Sequence, residues 1–392
     1  MVMPIAFLHS AYIHPARFPA VKYVTGKLLM DGPGSEGLKF VPGYIGFGDG
    51  VIKEVGKGQK KDALAKGLIL PSLTNAHTHL GDSCLRASLR KYKGERSVPA
   101  LFCPPHGFKH RHLAKTPSSK LESGMRAALR EMARCGVARY CDFREGGVKG
   151  LRALGAARKG AAVKGLALGR PAGLGYDRDE TDSILEMADG IAVSAISDWE
   201  YPELQKLAAH TKRSRRIFAL HASEIIREDI DLVLDLKPDF LVHMVQASDF
   251  DLERVASEGI PIVVCPRANS FFGLRPRIGR MLGFGIPVAL GTDNAMISSP
   301  GILPVLQDAW EVSRQMDTRP SEIMACALSG FRKVLSVPDG IPLGPGNCAD
   351  FFVVENPEMY TAKDPLAALV ALGSGARVAL ASVSGSLWKK AR

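Results

Sequence analysis

The sequence predicts an α/β fold: a (β/α)8 barrel carrying a small β-sandwich assembled from both chain termini. Through the middle of the chain, short runs rich in Val, Ile, Leu and Ala alternate with helix-like segments. Their continuous apolarity suits parallel strands buried on both faces. Histidines and an aspartate recur at the ends of these runs, and a barrel brings the C-terminal ends of all its strands to one mouth. The terminal regions lack a helical period and are broken by glycine-rich turns, as short antiparallel strands require.

In chain order, KYVTGKLLM, GYIGFGDG and VIKEVGKG read as extended stretches of a first β unit over residues 1–68. Barrel strands are expected at about 68–76, 137–143, 163–169, 190–196, 216–221, 239–243, 260–265 and 286–292. Between them, SSKLESGMRAALREMARC has Ser119 three residues before Glu122, a capping-box spacing, and SDFDLERVASEG runs from Ser248 to a terminating Gly259. A further helix-like segment lies near 321–335. PLGPGNCADFFVVENP and ARVALASVSGSLW then return to strand character. The domains are therefore 69–339 for the barrel, with 1–68 and 340–392 forming one discontinuous unit. A chain of 392 residues accommodates a barrel of about 250 residues plus such an addition.

The chemistry gathers at the strand ends. His77 and His79 in LILPSLTNAHTHL are two apart, so on a strand they face one side and form half a metal site. His221 follows RRIFAL, His243 follows DFLV, and Asp293 follows GIPVALGT. A carboxylate after so apolar a run is costly to bury unless it is paired or bound to metal. Glu224 lies three residues after His221, where it serves either as a proton carrier facing the mouth or as a first-turn residue favoured by the helix dipole.

These motifs resemble the amidohydrolase superfamily, in its cytosine deaminase and chlorohydrolase-like branch. The resemblance rests on His77-x-His79, His221-Ala-Ser-Glu224, His243 and Gly291-Thr292-Asp293, and on the turn Gly346-Asn347-Cys348-Ala349-Asp350-Phe351, which resembles the branch's Gly-x-x-Ala-Asp-Leu. It implies that His77, His79, His221 and Asp293 bind one divalent ion, that Glu224 and His243 handle protons and orient the water, and that Asp293 also accepts a proton. Three imidazoles and a carboxylate suit Zn²⁺ first and accept Fe²⁺ or Mn²⁺. Binuclear members bridge their metals with a lysine or glutamate at the fourth strand; here that strand reads GIAVSAISD without a lysine, which favours a single ion. The implied activity is deamination of a heterocyclic amine such as a nucleobase or nucleoside derivative. The alternatives are hydrolysis of an amide, ring C–N or C–Cl bond, and an inactive barrel used in assembly.

Substrate choice is expected in the segment from Gly81 to Ser118, read as a lid or a solvated loop, with Arg86, His110 and Asn294 as candidate substrate contacts. Asp142, Arg144 and Glu145 in CDFREGG either grip a polar substrate or pair with one another. The net charge of +11 favours an anionic small molecule or reflects a basic surface. The densest basic run, Lys212 to Arg216, precedes the fifth strand and so faces away from the mouth. Nucleic acid and membrane are therefore not expected partners, while homo-oligomerisation stays open. Seven cysteines without a Cys-x-x-Cys argue against a disulfide framework. MVMPIAFLHSAYIHPARF lacks the pattern of a signal peptide, so a cytoplasmic location is expected.

Overall fold

The computed structural model describes residues 21–31, 37–330, 332 and 343–389; the N-terminal stretch read for a signal peptide lies outside them. The strands are β1 (Lys22–Asp31), β2 (Leu38–Gly48), β3 (Val51–Gly56), β4 (Lys66–Pro71), β5 (Leu73–His79), β6 (Val137–Arg144), β7 (Lys164–Gly169) and β8 (Gly190–Val193). They continue with β9 (Ile217–Ala222), β10 (Phe240–His243), β11 (Ile262–Val264), β12 (Val288–Leu290), β13 (Asp293–Asn294), β14 (Phe351–Val354), β15 (Val378–Val383) and β16 (Ser386–Lys389).

Strands from both ends of the chain form one seven-stranded mixed sheet in the order β16, β15, β14, β4, β1, β2, β3. Phe47 on β2 and Phe351 on β14 are three places apart in that order, yet their rings meet edge-on at 5.0 Å. The sheet therefore rolls over on itself around Val24, Leu28, Ile45, Ile69, Val353 and Leu380. Backbone bonds from Ile52 to Asn347 (2.8 Å) and from Ala349 to Gly50 (2.8 Å) tie the two ends of the chain together.

The second sheet is parallel throughout and begins with β12 and ends with β13. Only Gly291 and Thr292 separate those two strands, and the Thr292 amide donates to the His77 carbonyl at 3.0 Å. One interrupted strand thus closes the ring, β12 against β11 and β13 against β5, giving a barrel. Gly291 is required at the junction, because a Cβ there would lie 2.8 Å from both Cβ and the carbonyl oxygen of His77. Inside the ring Ala76, Phe143, Leu168, Ala219, Val242 and Val263 pack together. The alternate residues, such as Leu220, Leu241 and Ile262, pack outward against the helices, the period-two division of a closed sheet.

Two expectations need correction. The apolar run at 68–76 is not one barrel strand: Lys66–Pro71 pairs with β1 and β14 in the rolled sheet, and the first barrel strand is Leu73–His79. An unbroken apolar run carries no mark of the change of sheet at Ser72, since both strands are buried on both faces. Ser119 does not cap its helix, which spans Ser118–Arg134 behind Pro117; Glu122 instead pairs with Arg126 one turn on, at 2.6 Å. The helix after Ser248 does carry a capping box, closed by Asp251. We propose the same division into a barrel and a discontinuous terminal unit, with the crossing at Ser72.

Candidate active site

Each site residue is aimed by the strand that carries it. His77 and His79 sit two apart on β5, and their rings meet edge-on at 4.8 Å. His221 follows the inward Ala219 by two residues on β9 and joins them at the mouth. On β10, Phe240 and Val242 point inward, so strict alternation would send His243 outward. Its backbone instead adopts φ of 78°, and the ring stacks on His221 with centroids 5.3 Å apart. Asp293 is likewise left-handed, at φ of 56°. Non-glycine residues in this region carry strain that concentrates at functional sites.

The donor atoms converge. His77 Nε2 lies 3.2 Å from Asp293 Oδ1 and 3.3 Å from His221 Nε2, and His79 Nε2 lies 3.4 Å from the same Asp293 oxygen. Tetrahedral ligands held at about 2.0–2.1 Å from a zinc ion stand about 3.3 Å from one another. Proton positions support the fit. His221 Nδ1 is 2.8 Å from the Val193 carbonyl, which can only accept, so the proton resides there and the Nε2 lone pair faces the centre. Burial drives the His221 imidazole well below its ordinary pKa and lowers His77 to about 3. Burial opposes the charged form of His79 too, yet Glu145, 2.7 Å from its Nδ1, and Asp293 raise it to about 9, so an ion at the centre has to displace the proton from its Nε2. Burial acts to raise the Asp293 carboxyl, yet the imidazoles of His77 and His79 against its oxygen hold it well below the usual range. The residues therefore fit a divalent ion. His243 also falls within 4.8 Å of His77, His221 and Asp293 in donor-atom distance.

Glu224 stands beside this centre, with Oε2 3.5 Å from His243 Nε2. Asn269, on the helix Pro266–Phe271, gives its amide to Glu224 Oε1 at 3.1 Å and to His243 Nδ1 at 3.3 Å. A donor at Nδ1 places the His243 proton on Nε2, toward the centre. Burial pushes the Glu224 carboxyl up, which suits a group that must take and return a proton near neutral pH. Glu228 steadies the turn that carries Glu224, accepting from the amides of Ser223 (2.9 Å) and Ser197 (3.0 Å).

A cavity of about 280 Å³ opens on these residues, at the small end of ligand pockets. Its lining includes the apolar Val98, Pro99, Phe102, Ile225 and Ile226 and the polar Arg170, Ser194, Ser197 and Asp198. The segment after β5 is not a solvated loop. It folds into the helices Arg86–Lys91, Val98–Phe102 and Phe108–Lys115 and covers the mouth. Among the expected substrate contacts, Asn294 lines the cavity and donates to Asp82 at 2.6 Å. Arg86 lies elsewhere, bonded to the carbonyls of Ala295 (2.6 Å) and Ser298 (3.2 Å) and to Glu131 (2.9 Å). His110 sits 3.0 Å from the Phe102 carbonyl and faces a neighbouring cavity. Asp142, Arg144 and Glu145 pair with one another: Arg144 reaches Asp142 at 3.4 Å and Glu145 at 2.6 Å. Asn269, Arg170, Lys109 and Glu228 carry no motif in the sequence. Their roles arise only from the strand ends and helices that the barrel brings together.

Convergent donor atoms beside a half-buried carboxyl fit a class, the hydrolases that work through a divalent ion and water. The amidohydrolase family model matches residues 68–387, so the chain belongs to the amidohydrolase family and is a metal-dependent hydrolase acting on C–N bonds. It is 31% identical over 324 residues to an uncharacterized protein of Methanocaldococcus jannaschii, covering 77% of this chain and 83% of that one. It is 25% identical over 266 residues to the 5-methylthioadenosine/S-adenosylhomocysteine deaminase of Haloquadratum walsbyi, 58% of this chain and 56% of that one. In fold it is similar to a zinc-bound adenosine deaminase of Xanthomonas campestris, with a TM-score of 0.73 at 16% identity over 93% of this chain and 92% of that one. No helix among the described residues is long and apolar enough to cross a membrane.

Proposed function

We propose that this chain is an aminohydrolase with one divalent ion, most simply zinc, that releases ammonia from a heterocyclic amine such as a nucleobase or nucleoside derivative. The observation that carries the reading is the pairing of a half-buried Glu224 with His243, both fixed by Asn269, beside the donor set. His77, His79, His221 and Asp293 would hold the ion, which supplies an activated water by lowering its pKa to about 7. Glu224 takes one proton of the attacking water and delivers it to the ring nitrogen, and the second water proton, held by Asp293, goes to the departing amine, which leaves as ammonia. His243 keeps a hydrogen bond to the attacking oxygen through Nε2, and Asp293 accepts a proton on the opposite side.

The cavity supports a flat, mixed-polarity substrate. The lining offers aliphatic side chains such as Val98, Ile225 and Ile226 for a ring, together with the Arg170 guanidinium, which has one buried nitrogen that lacks a hydrogen-bond partner. That nitrogen favours a substrate acceptor. The deaminase names of the Haloquadratum and Xanthomonas proteins point to the same reaction class. The test is ammonia release from the zinc-loaded protein across amino-substituted purines, pyrimidines and nucleosides. Release that a chelator stops is expected. Hydrolysis of an amide or a halogenated ring, with no ammonia from the panel, would replace deamination with the other C–N or C–Cl chemistry.

A further inference from the structure

Next to the donor set lies a second group of ligating atoms. His79 on β5, Asp82 just beyond it and Glu145 just beyond β6 each place one such atom within 4.8 Å of the others. All three residues are buried, Asp82 completely, and Asp82 Oδ1 has no hydrogen-bond partner. Two carboxylates and an imidazole are the donors that divalent ions take from proteins.

A cation already stands there, and it belongs to the chain. Lys109, on the helix Phe108–Lys115, places Nζ 3.0 Å from Asp82 Oδ2 and in contact with Glu145 Oε1, with its side chain 4% exposed. Glu145 has Arg144 as a second cation, which it shares with Asp142, and His79 Nδ1 lies 2.7 Å from the Oε1 that Lys109 contacts. Asp82 has no other ion-pair partner among the described residues. Removing the ammonium would leave buried carboxylate charge without compensation, a costly arrangement that recruits a counter-charge.

We propose that Lys109 is a built-in cation filling a latent metal site, and that its loss opens a divalent-metal site formed by Asp82 and Glu145 beside His79. The proposal rests on reading the His77, His79, His221 and Asp293 donors as a one-ion centre.

The experiment counts tightly held ions per chain, by elemental analysis after gel filtration, in protein stripped and reloaded with Zn²⁺ or Mn²⁺. One ion is expected in the unmodified protein and in Lys109→Arg, two in Lys109→Ala, and one again when Lys109→Ala is combined with Asp82→Asn. A folded Lys109→Ala protein that stays at one ion overturns the proposal. If Lys109→Ala and Lys109→Gln unfold when stripped, recovery of their circular dichroism on adding the metal supports it, and failure to recover at saturating metal overturns it. An unmodified protein that holds no ion at all defeats the one-ion reading but leaves this test standing, because the gain of one ion over the unmodified count is what reports on Lys109.

Discussion

On one side of the barrel mouth, His77, His221 and Asp293 turn donor atoms toward a common point, His77 standing 3.2 Å from Asp293 and 3.3 Å from His221. On the other, Asp82, Asp142 and Glu145 are closed by Lys109 and Arg144. Both clusters are buried and polar, and both stand at strand ends of the same sheet. They differ in where the positive charge comes from. The closed cluster carries its own, on Lys109 and Arg144. Burial opposes ionisation of Glu145, yet Lys109, His79 and Arg144 hold its carboxyl well below the usual range. The open cluster leaves lone pairs facing one another, an arrangement that folding alone does not favour and an added cation does.

The strongest test of that contrast is loss of a donor from the open side. Asp293→Ala should carry little or no bound zinc and turn over no substrate, because the ligand and the charge that balances the ion go together. Retention of a full equivalent of metal by this variant would dissolve the distinction between the two clusters. Glu224→Gln should separate binding from chemistry: metal content unchanged, with kcat lower by about 10² to 10⁴-fold. A loss of metal here would make Glu224 a ligand instead of a proton carrier.

On the closed side the effect should appear in stability. Arg144 is among the largest fully buried side chains, and Gly81 makes room for it, since a Cβ there would fall 2.4 Å from the guanidinium. Arg144→Met leaves Asp142 and Glu145 short of a partner, which should cost about 3–5 kcal/mol in urea unfolding. Bound zinc should stay at the unmodified level if the closed cluster is structural. Asn269→Ala lies between the two behaviours. It strands one hydrogen bond on each of Glu224 and His243, worth about 1–3 kcal/mol, and the loss should fall on kcat more than on KM.

How much of this was legible in the chain follows from the same contrast. The open cluster was readable because its histidines and aspartate stand after apolar runs, and a single period-two rule places His77 with His79. The closed cluster was only half readable. Asp142, Arg144 and Glu145 are adjacent in sequence, so their mutual pairing was among the expected outcomes. Lys109 comes from a helix that sequence reading took for a loop or lid, because HGFKHRHLAK shows no clear apolar stripe. The change of sheet at Ser72 was hidden for another reason: two buried strands in succession have the same composition. His243 needed a left-handed backbone to reach the mouth, and nothing in DFLVH announces one.

Arg86 marks the smallest expected effect on catalysis, and it sharpens the boundary between residues that face the mouth and residues that build it. Sequence position placed it among the substrate contacts, seven residues after His79 in a basic segment. In the fold its guanidinium is turned away from the cavity. It clamps the Ala295 and Ser298 carbonyls, which follow β13, and reaches Glu131 on the helix Ser118–Arg134. The side chain is 32% exposed, so solvent screens the ion pair and its stability contribution is small. Arg86→Ala should therefore lower stability by about 1–2 kcal/mol, mostly through the lost bonds to carbonyls. KM and kcat should stay within about twofold of the unmodified enzyme, since no contact made only in the transition state is removed. A tenfold rise in KM with an unchanged melting temperature would move Arg86 back among the residues that hold substrate, and would mean that the lid helices open further than their packing on the barrel indicates.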